Sequence, residues 1–258
     1  MKIMILGHKG LLGNAVISYF FKQNVNIITV LNRWPNECFK NEILQCKCDY
    51  LINCIGKIPQ RNCNDYISDN ITLPIWLAST GIKMVQPSTD CEFKGTSDPH
   101  YLYKKSDKTD ATDPYGISKR ISTSILTEIF SSNVKVIRTS IVGIEKESCV
   151  SLLSWFLHQK ESIKGFTNHI WNGITTLEWA RQCHNVINLW DTNVPLIQLG
   201  TKPVSKYDLL HMFSNTFHKK TNITPHSTGE CVNKCLLEDF VIPPLEYQLI
   251  QLKEFYNL

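Results

Sequence analysis

No apolar run in this chain of 258 residues reaches the ~18 residues that a membrane-spanning helix requires. An excess of one charge is missing too: 27 Lys and Arg against 23 Asp and Glu leave a formal +4. That balance is too small and too dispersed to mark a nucleic-acid surface, though it suits an anionic small molecule. Neither a membrane nor a nucleic acid is therefore an expected partner. Among ten cysteines the C-x2-C spacing of a zinc ribbon is lacking, since Cys46-Lys47-Cys48 and Cys231-x3-Cys235 are the only close pairs. No metal site is expected. No secretory segment is read at the start, where the apolar stretch is cut short by Gly7, His8 and Lys9 and looks like a strand. Without one, a disulfide framework is not expected. The cysteines read as free thiols, mostly small core residues, in a cytoplasmic protein. Internal repeats and low-complexity tracts are absent as well.

What the chain does have is apolar mass in a regular order. Its 43% hydrophobic residues suffice for a sizeable core, and its length fits one large domain or one and a half. Short apolar runs predict strands at Lys2–Leu6, Asn26–Leu31, Tyr50–Asn53, Lys83–Gln86, Val134–Arg138 and Pro195–Leu199. Helical spacing predicts helices over Leu11–Phe21 and Ile71–Ser79. Strands separated by helices argue for an α/β protein with a Rossmann-type doubly wound parallel sheet. Gly95–Asp113 is polar and turn-rich, hence a surface loop. Past Ile144 the pattern blurs into helices and loops, which fits a small discontinuous C-terminal substrate-binding cap. The expected division is a dinucleotide-binding unit over residues 1–142, its sheet completed by about 174–215, with the cap in 143–173 and 216–258. Pro243–Leu258 reads as an amphipathic helix, for cap packing or for a subunit contact that would make a homodimer.

Gly7-His8-Lys9-Gly10-Leu11-Leu12-Gly13 follows the first strand directly and opens the first helix. Three glycines there permit a tight turn, close backbone approach to a pyrophosphate, and close helix–strand packing, with the anion on the helix N-terminus. Cofactor contacts are expected from Gly7, Lys9, Gly10, Leu11, Leu12 and Gly13. The second strand runs into Leu31-Asn32-Arg33, without the Asp or Glu that binds a free ribose 2′-hydroxyl. Arg33, beside Asn32 and helped by Lys9, suits a 2′-phosphate instead, so NADPH is expected ahead of NADH. Asn53-Cys54-Ile55-Gly56 lies in the equivalent place after the third strand, either touching cofactor or supporting its neighbour as a turn.

Asp113-Pro114-Tyr115-x3-Lys119 offers a helix N-cap, a proline at the first helical position, and a tyrosine and lysine one turn apart on one face. A tyrosine of pKa ~10 is a poor acid–base group near neutrality, and a neighbouring ammonium lowers that value. Pro87-Ser88-Thr89-Asp90-Cys91 puts hydroxyls at the C-terminal end of the fourth strand, the edge where open parallel sheets bind ligands.

These residues, together with Asn70-x3-Pro74, Leu77-Ala78, Arg138-Thr139-Ser140 and Gln198-Leu199-Gly200, carry a family resemblance. The chain resembles the extended short-chain dehydrogenase/reductase superfamily, and within it the sugar-nucleotide reductases of the dTDP-4-dehydrorhamnose reductase type. The likeness runs over nearly the whole chain and is most specific between residues 1 and 140. It implies NADPH-dependent reduction of a nucleoside-diphosphate 4-keto-6-deoxy sugar for surface polysaccharide or glycan synthesis. Tyr115 would then protonate the carbonyl oxygen as hydride arrives, and Lys119 would lower its pKa and hold the nicotinamide ribose. Thr89 would donate to the same oxygen, with Ser88 turned the other way by strand alternation. Substrate contacts are implied for Thr89, Asp90, Cys91, Ser140, Trp171 and Asn172.

The sequence also departs from that pattern. Rhamnose-type reductases carry a tryptophan after the Arg-Thr-Ser segment, where this chain has Ile141, and Trp171 is the alternative. Thr89-Asp90-Cys91 matches the hydroxyl-x-Cys element of GDP-fucose synthases, with His169 as the partner that would join Cys91 in epimerisation. A 4,6-dehydratase would place Asp-Glu after the threonine, and Cys91 stands where that Glu would be. A 4-epimerase retaining NAD and a non-catalytic cofactor-binding subunit are the remaining alternatives. The intact Tyr115 and Lys119 argue against the second of these. Lys160, Lys164 and Arg181 are candidates for the substrate diphosphate.

Overall fold

The computed structural model describes residues 1–61, 65–145 and 149–258. Six strands, β1 (Lys2–Leu6), β2 (Asn26–Thr29), β3 (Tyr50–Asn53), β4 (Lys83–Ser88), β5 (Val134–Arg138) and β6 (Leu196–Gln198), form one parallel sheet in the order β6-β5-β4-β3-β1-β2. After β2 the chain crosses back over β1 to build the rest of the sheet on the other side. That reversal opens a crevice beyond the C-terminal ends of β1 and β3, where doubly wound folds take their ligands.

Strand alternation sorts the apolar residues into two layers. Ile3, Ile5, Ile52, Val85 and Ile137 pack with α1 (Leu11–Phe21) and, later in the chain, with the helix Thr176–Asn188. Met4, Leu6, Leu51, Met84, Val134 and Val136 face the opposite layer of α2 (Glu37–Gln45), α3 (Leu73–Ser79) and α4 (Pro114–Glu128). The strands are buried on both faces, which is why they read as continuous apolar runs. A separate core gathers Leu153, Phe156, Leu209, Phe213, Leu245 and Leu249 from α5 (Leu152–His158), α7 (Lys206–Thr216) and α8 (Leu245–Tyr256), with α6 being the helix Thr176–Asn188. Around it, strand Ile163–Phe166 pairs with Ile223–His226. His169–Trp171 lies between Val204–Ser205 and Val232–Asn233.

Several expectations need adjustment. β2 stops at Thr29, because Leu31 is turned out to solvent at the sheet edge. β4 continues to Ser88. The helix expected from Ile71 begins with a π-helical turn at Ser68–Thr72 before α3 proper. Helix α2 is missing from the sequence reading: capped by Asn36, it buries only Phe39 and Ile43, too few apolar positions to announce a helix. The nine described cysteines are free thiols as expected, but only Cys183 and Cys235 are fully buried, while Cys38 and Cys149 are exposed. Cys63 lies outside the described residues. Among the described residues no helix is long and apolar enough to cross a membrane.

Candidate active site

The glycine loop is built as its spacing implied. Gly7 turns with φ +71°, and a side chain there would meet the Cys54 carbonyl carbon at 2.8 Å. Gly13 is backed directly against the Gly7 carbonyl and has no room for a Cβ. Gly10, by contrast, has only the Gly7 oxygen at 3.4 Å, ordinary contact distance. It forms the N-cap of α1 without any side-chain capping bond, so the amides of Leu11, Leu12 and Gly13 open the helix. This cradle has the shape and the donors for a pyrophosphate. Lys9 is exposed at its rim.

The two loops that meet here are fixed from behind. Asn53 is fully buried, donating to Gln86 Oε1 at 2.8 Å and accepting from the Ile55 amide at 3.1 Å. Its side chain therefore shapes the turn through Cys54, Ile55 and Gly56 rather than reaching out to a ligand. Asn70, buried in the π-helical turn, accepts from the Lys57 amide at 2.8 Å and donates to Ser118 Oγ at 3.1 Å, tying that turn to α4.

At the end of β2 the structure adds a group the sequence reading missed. Glu42, from α2, accepts from the Asn32 side chain and from the Leu31 amide at 3.3 Å. An acidic residue thus reaches the ribose end of the crevice from the following helix. Asn32 is occupied by it, and Arg33 stands exposed beside the pair.

Helix α4 begins as predicted, with Asp113 accepting from the Gly116 amide at 2.8 Å and Pro114 in the first turn. Gly116 lies hard against the Cys91 carbonyl, so the start of α4 sits directly on the turn that follows β4. That approach brings the Tyr115 phenol up to the Thr89 side chain. Thr89 Oγ1 also accepts from the Cys91 amide at 3.2 Å and donates to Asp90 at 3.0 Å. Ser88 is turned away, with its hydroxyl on the buried Glu92 carboxylate. Burial raises the Tyr115 phenol above its ordinary value, with Cys91, Asp90 and Glu92 acting the same way and Thr89 opposing them. The Lys119 ammonium donates to the Pro87 carbonyl at 2.7 Å. Burial pulls Lys119 down to about 8, and Glu92 resists that shift.

The proposed substrate residues divide. Thr89, Asp90 and Cys91 form one turn beside Tyr115. Trp171 and Ser140 are brought together, the indole donating to Ser140 Oγ at 2.8 Å behind the Arg-Thr-Ser segment. Asn172 is occupied: both ends of its carboxamide bond the Leu236 backbone, at 2.8 and 3.0 Å, clamping two stretches of chain together. His169 hydrogen-bonds Thr228 at 2.8 Å and stacks on Phe166. Burial pushes the Cys91 thiol up to about 12, helped by the Asp90 charge. Two cations not singled out by sequence, Lys234 and Lys206, lie within electrostatic reach of Asp90. They come from Val232–Cys235 and the start of α7, segments whose proximity no local spacing encodes. Arg181, in contrast, is held by Glu178 and Gln251, while Lys160 and Lys164 are exposed.

The overall shape has close parallels. A dTDP-4-dehydrorhamnose reductase from Clostridium acetobutylicum superposes with a TM-score of 0.83 at 18% identity, over 100% of both chains. The dTDP-4-dehydrorhamnose reductase from Bacillus anthracis, solved in complex with NADP, gives 0.81 at 16% identity over 99% of this chain and 98% of that one. A UDP-glucose 4-epimerase from Thermotoga maritima, solved with UDP-glucose, gives 0.76 at 16% identity over 100% and 99%. No curated protein sequence matches the chain. At these identities the likeness is one of fold. The sequence itself goes further, since residues 3–143, more than half its length and the whole stretch from the glycine cradle to the Tyr115 helix and β5, match one family model: the chain belongs to the NAD dependent epimerase/dehydratase family.

Proposed function

We propose that this protein uses NADPH, with NADH as a weaker alternative, to reduce the 4-keto group of a nucleoside-diphosphate 6-deoxy sugar. The observation that carries the reading is the close approach of Thr89 and Tyr115 beside a buried Lys119, at the sheet edge that also holds the glycine cradle. A reduced nicotinamide, when bound, supplies hydride to the carbonyl carbon. As the C=O electron pair moves to oxygen, Tyr115 gives that oxygen its proton, and a phenol held protonated by burial suits a donor. The Thr89 hydroxyl, turning its proton from Asp90 to the substrate, donates to the same oxygen and stabilises the developing charge. Gly7, Gly10, Gly13 and the first amides of α1 hold the pyrophosphate, and Arg33 with Lys9 meets the 2′-phosphate. The substrate diphosphate is held at the corner of Lys206 and Lys234. Segments 143–173 and 216–258 act as the sugar-binding cap of a cytoplasmic enzyme of deoxy-sugar synthesis.

Simple reduction is favoured over epimerisation followed by reduction. A thiol raised to about 12 supplies little thiolate near neutrality, and His169 is bound to Thr228. NADPH oxidation measured against a panel of nucleoside-diphosphate 4-keto-6-deoxy sugars tests the proposal. Turnover with at least one, without deuterium at C3 or C5 of the product in D2O, is the expected result. Tight NADPH binding with no turnover on any of them would overturn it, and NAD retained through purification would point to an epimerase.

A further inference from the structure

Beneath the Thr89–Tyr115 pair lies a charged cluster that the proposed chemistry does not touch. Glu92 is fully buried, and its carboxylate accepts from Arg138 Nη2 at 2.6 Å, with both side chains removed from water. The other carboxylate oxygen accepts from Thr123 Oγ1 at 2.6 Å and from Ser88 Oγ. Arg138 reaches on to Gln198 Oε1 at 3.2 Å. Thr123 is one helical turn beyond Lys119 on the buried face of α4, and Ser88 follows the Pro87 whose carbonyl holds the Lys119 ammonium. Carboxylate and ammonium therefore share a scaffold of α4 and the end of β4.

A buried ion pair gives little net stability, because desolvating two charges offsets their attraction. Its worth lies elsewhere. The groups around Glu92 are Arg138 from β5, Lys119 and Tyr115 from α4, and Asp90 and Cys91 from its own turn. Among the described residues, Glu92 is the charge that favours the protonated form of Lys119 against its desolvation.

We propose that Glu92, locked in place by Arg138, Thr123 and Ser88, is a positioning residue that keeps the buried Lys119 cationic and seated on Pro87. Its role in catalysis rests on the ketoreductase reading above; its effect on Lys119 does not. Competitive acetylation of Lys119 across a pH series, read by peptide mass spectrometry on the full-length cofactor-free protein, reports the ammonium's titration without any substrate. The wild-type midpoint should fall near 8. Glu92→Gln should lower it by about one pH unit, and Glu92→Asp, which keeps the charge, should restore most of the difference. In the active enzyme the alkaline limb of kcat/KM should move in the same direction by a similar amount.

Should the lone Glu92→Gln substitution prevent folding by stranding Arg138, the double variant Glu92→Met/Arg138→Met removes both charges and fills the space with apolar volume. Its Lys119 midpoint should also lie below wild type. An unmoved midpoint in either folded variant would reduce Glu92 to a packing role and overturn the proposal. A lowered midpoint in a protein with no ketoreductase turnover would uphold it and reject the reaction instead.

Discussion

A strand sends consecutive side chains to opposite faces, and at the end of β4 that rule divides two hydroxyls between two tasks. Thr89 meets Tyr115 on the crevice side, while Ser88 meets Glu92 and Thr123 inside. Thr89→Val should therefore lower kcat by about 100-fold and leave cofactor binding intact. Ser88→Ala should instead cost about 1–3 kcal/mol of stability in denaturant unfolding, through the buried partners it deserts. A larger rate loss for Ser88→Ala would exchange their roles. The proposed cofactor choice is tested at this scale as well. Arg33→Ala should raise KM for NADPH about tenfold without changing that for NADH. Glu42→Gln should lower KM for NADPH, because a carboxylate beside a 2′-phosphate repels it. Thr89, Tyr115 and Arg33 were legible in the sequence because each sits at a fixed offset from a strand end or helix cap. Glu42 and Glu92 were not, since their importance depends on partners in other elements.

Among the elements, the first turn of α1 illustrates how two glycines of one motif differ. Gly13 is closed in by the Gly7 carbonyl, whereas the Gly10 position has space for a methyl group in the free protein. Gly10→Ala should fold normally, with an unchanged thermal midpoint, and bind dinucleotide at least tenfold more weakly in a titration, because the methyl occupies the anion's side. Gly13→Ala should lower the thermal midpoint itself. Equal loss of stability in both would show that the loop is a structural turn with no ligand. The sequence revealed this loop, the strands and α4, where apolar runs, glycine spacing and an Asp-Pro cap coincide. It concealed α2, whose nine residues bury two apolar side chains, and it gave no warning of the π-helical turn that aims Asn70.

On the scale of the whole molecule, the sheet was recoverable and the joining of its upper parts was not. Gln198, completely buried on β6, donates to the Tyr103 and Leu237 carbonyls at 2.7 and 2.8 Å and accepts from Arg138. Asn233 donates to the carbonyls of Asp98 and Tyr101 at 2.9 and 2.8 Å. Such carboxamides bind distant backbone that no sequence window contains. Gln198→Ala should destabilise the protein by about 3 kcal/mol and weaken the contact of residues 232–237 with the 95–113 loop, seen as faster amide exchange at Tyr103 and Leu237. Unchanged exchange there would remove Gln198 as the link.

The backbone pairing of Thr96 with Asn233 and of Tyr103 with Leu236 also has a consequence for biosynthesis. A ribosome releases Tyr115 and Lys119 long before it releases Val232–Leu236, the segment that braces the loop beside them. During that interval the nascent chain must keep the Asn172 carboxamide hydrated, since the Leu236 backbone it binds has not yet been made. The wall of the crevice beside Tyr115 and Lys119 is thus completed only when a segment far downstream of them has emerged.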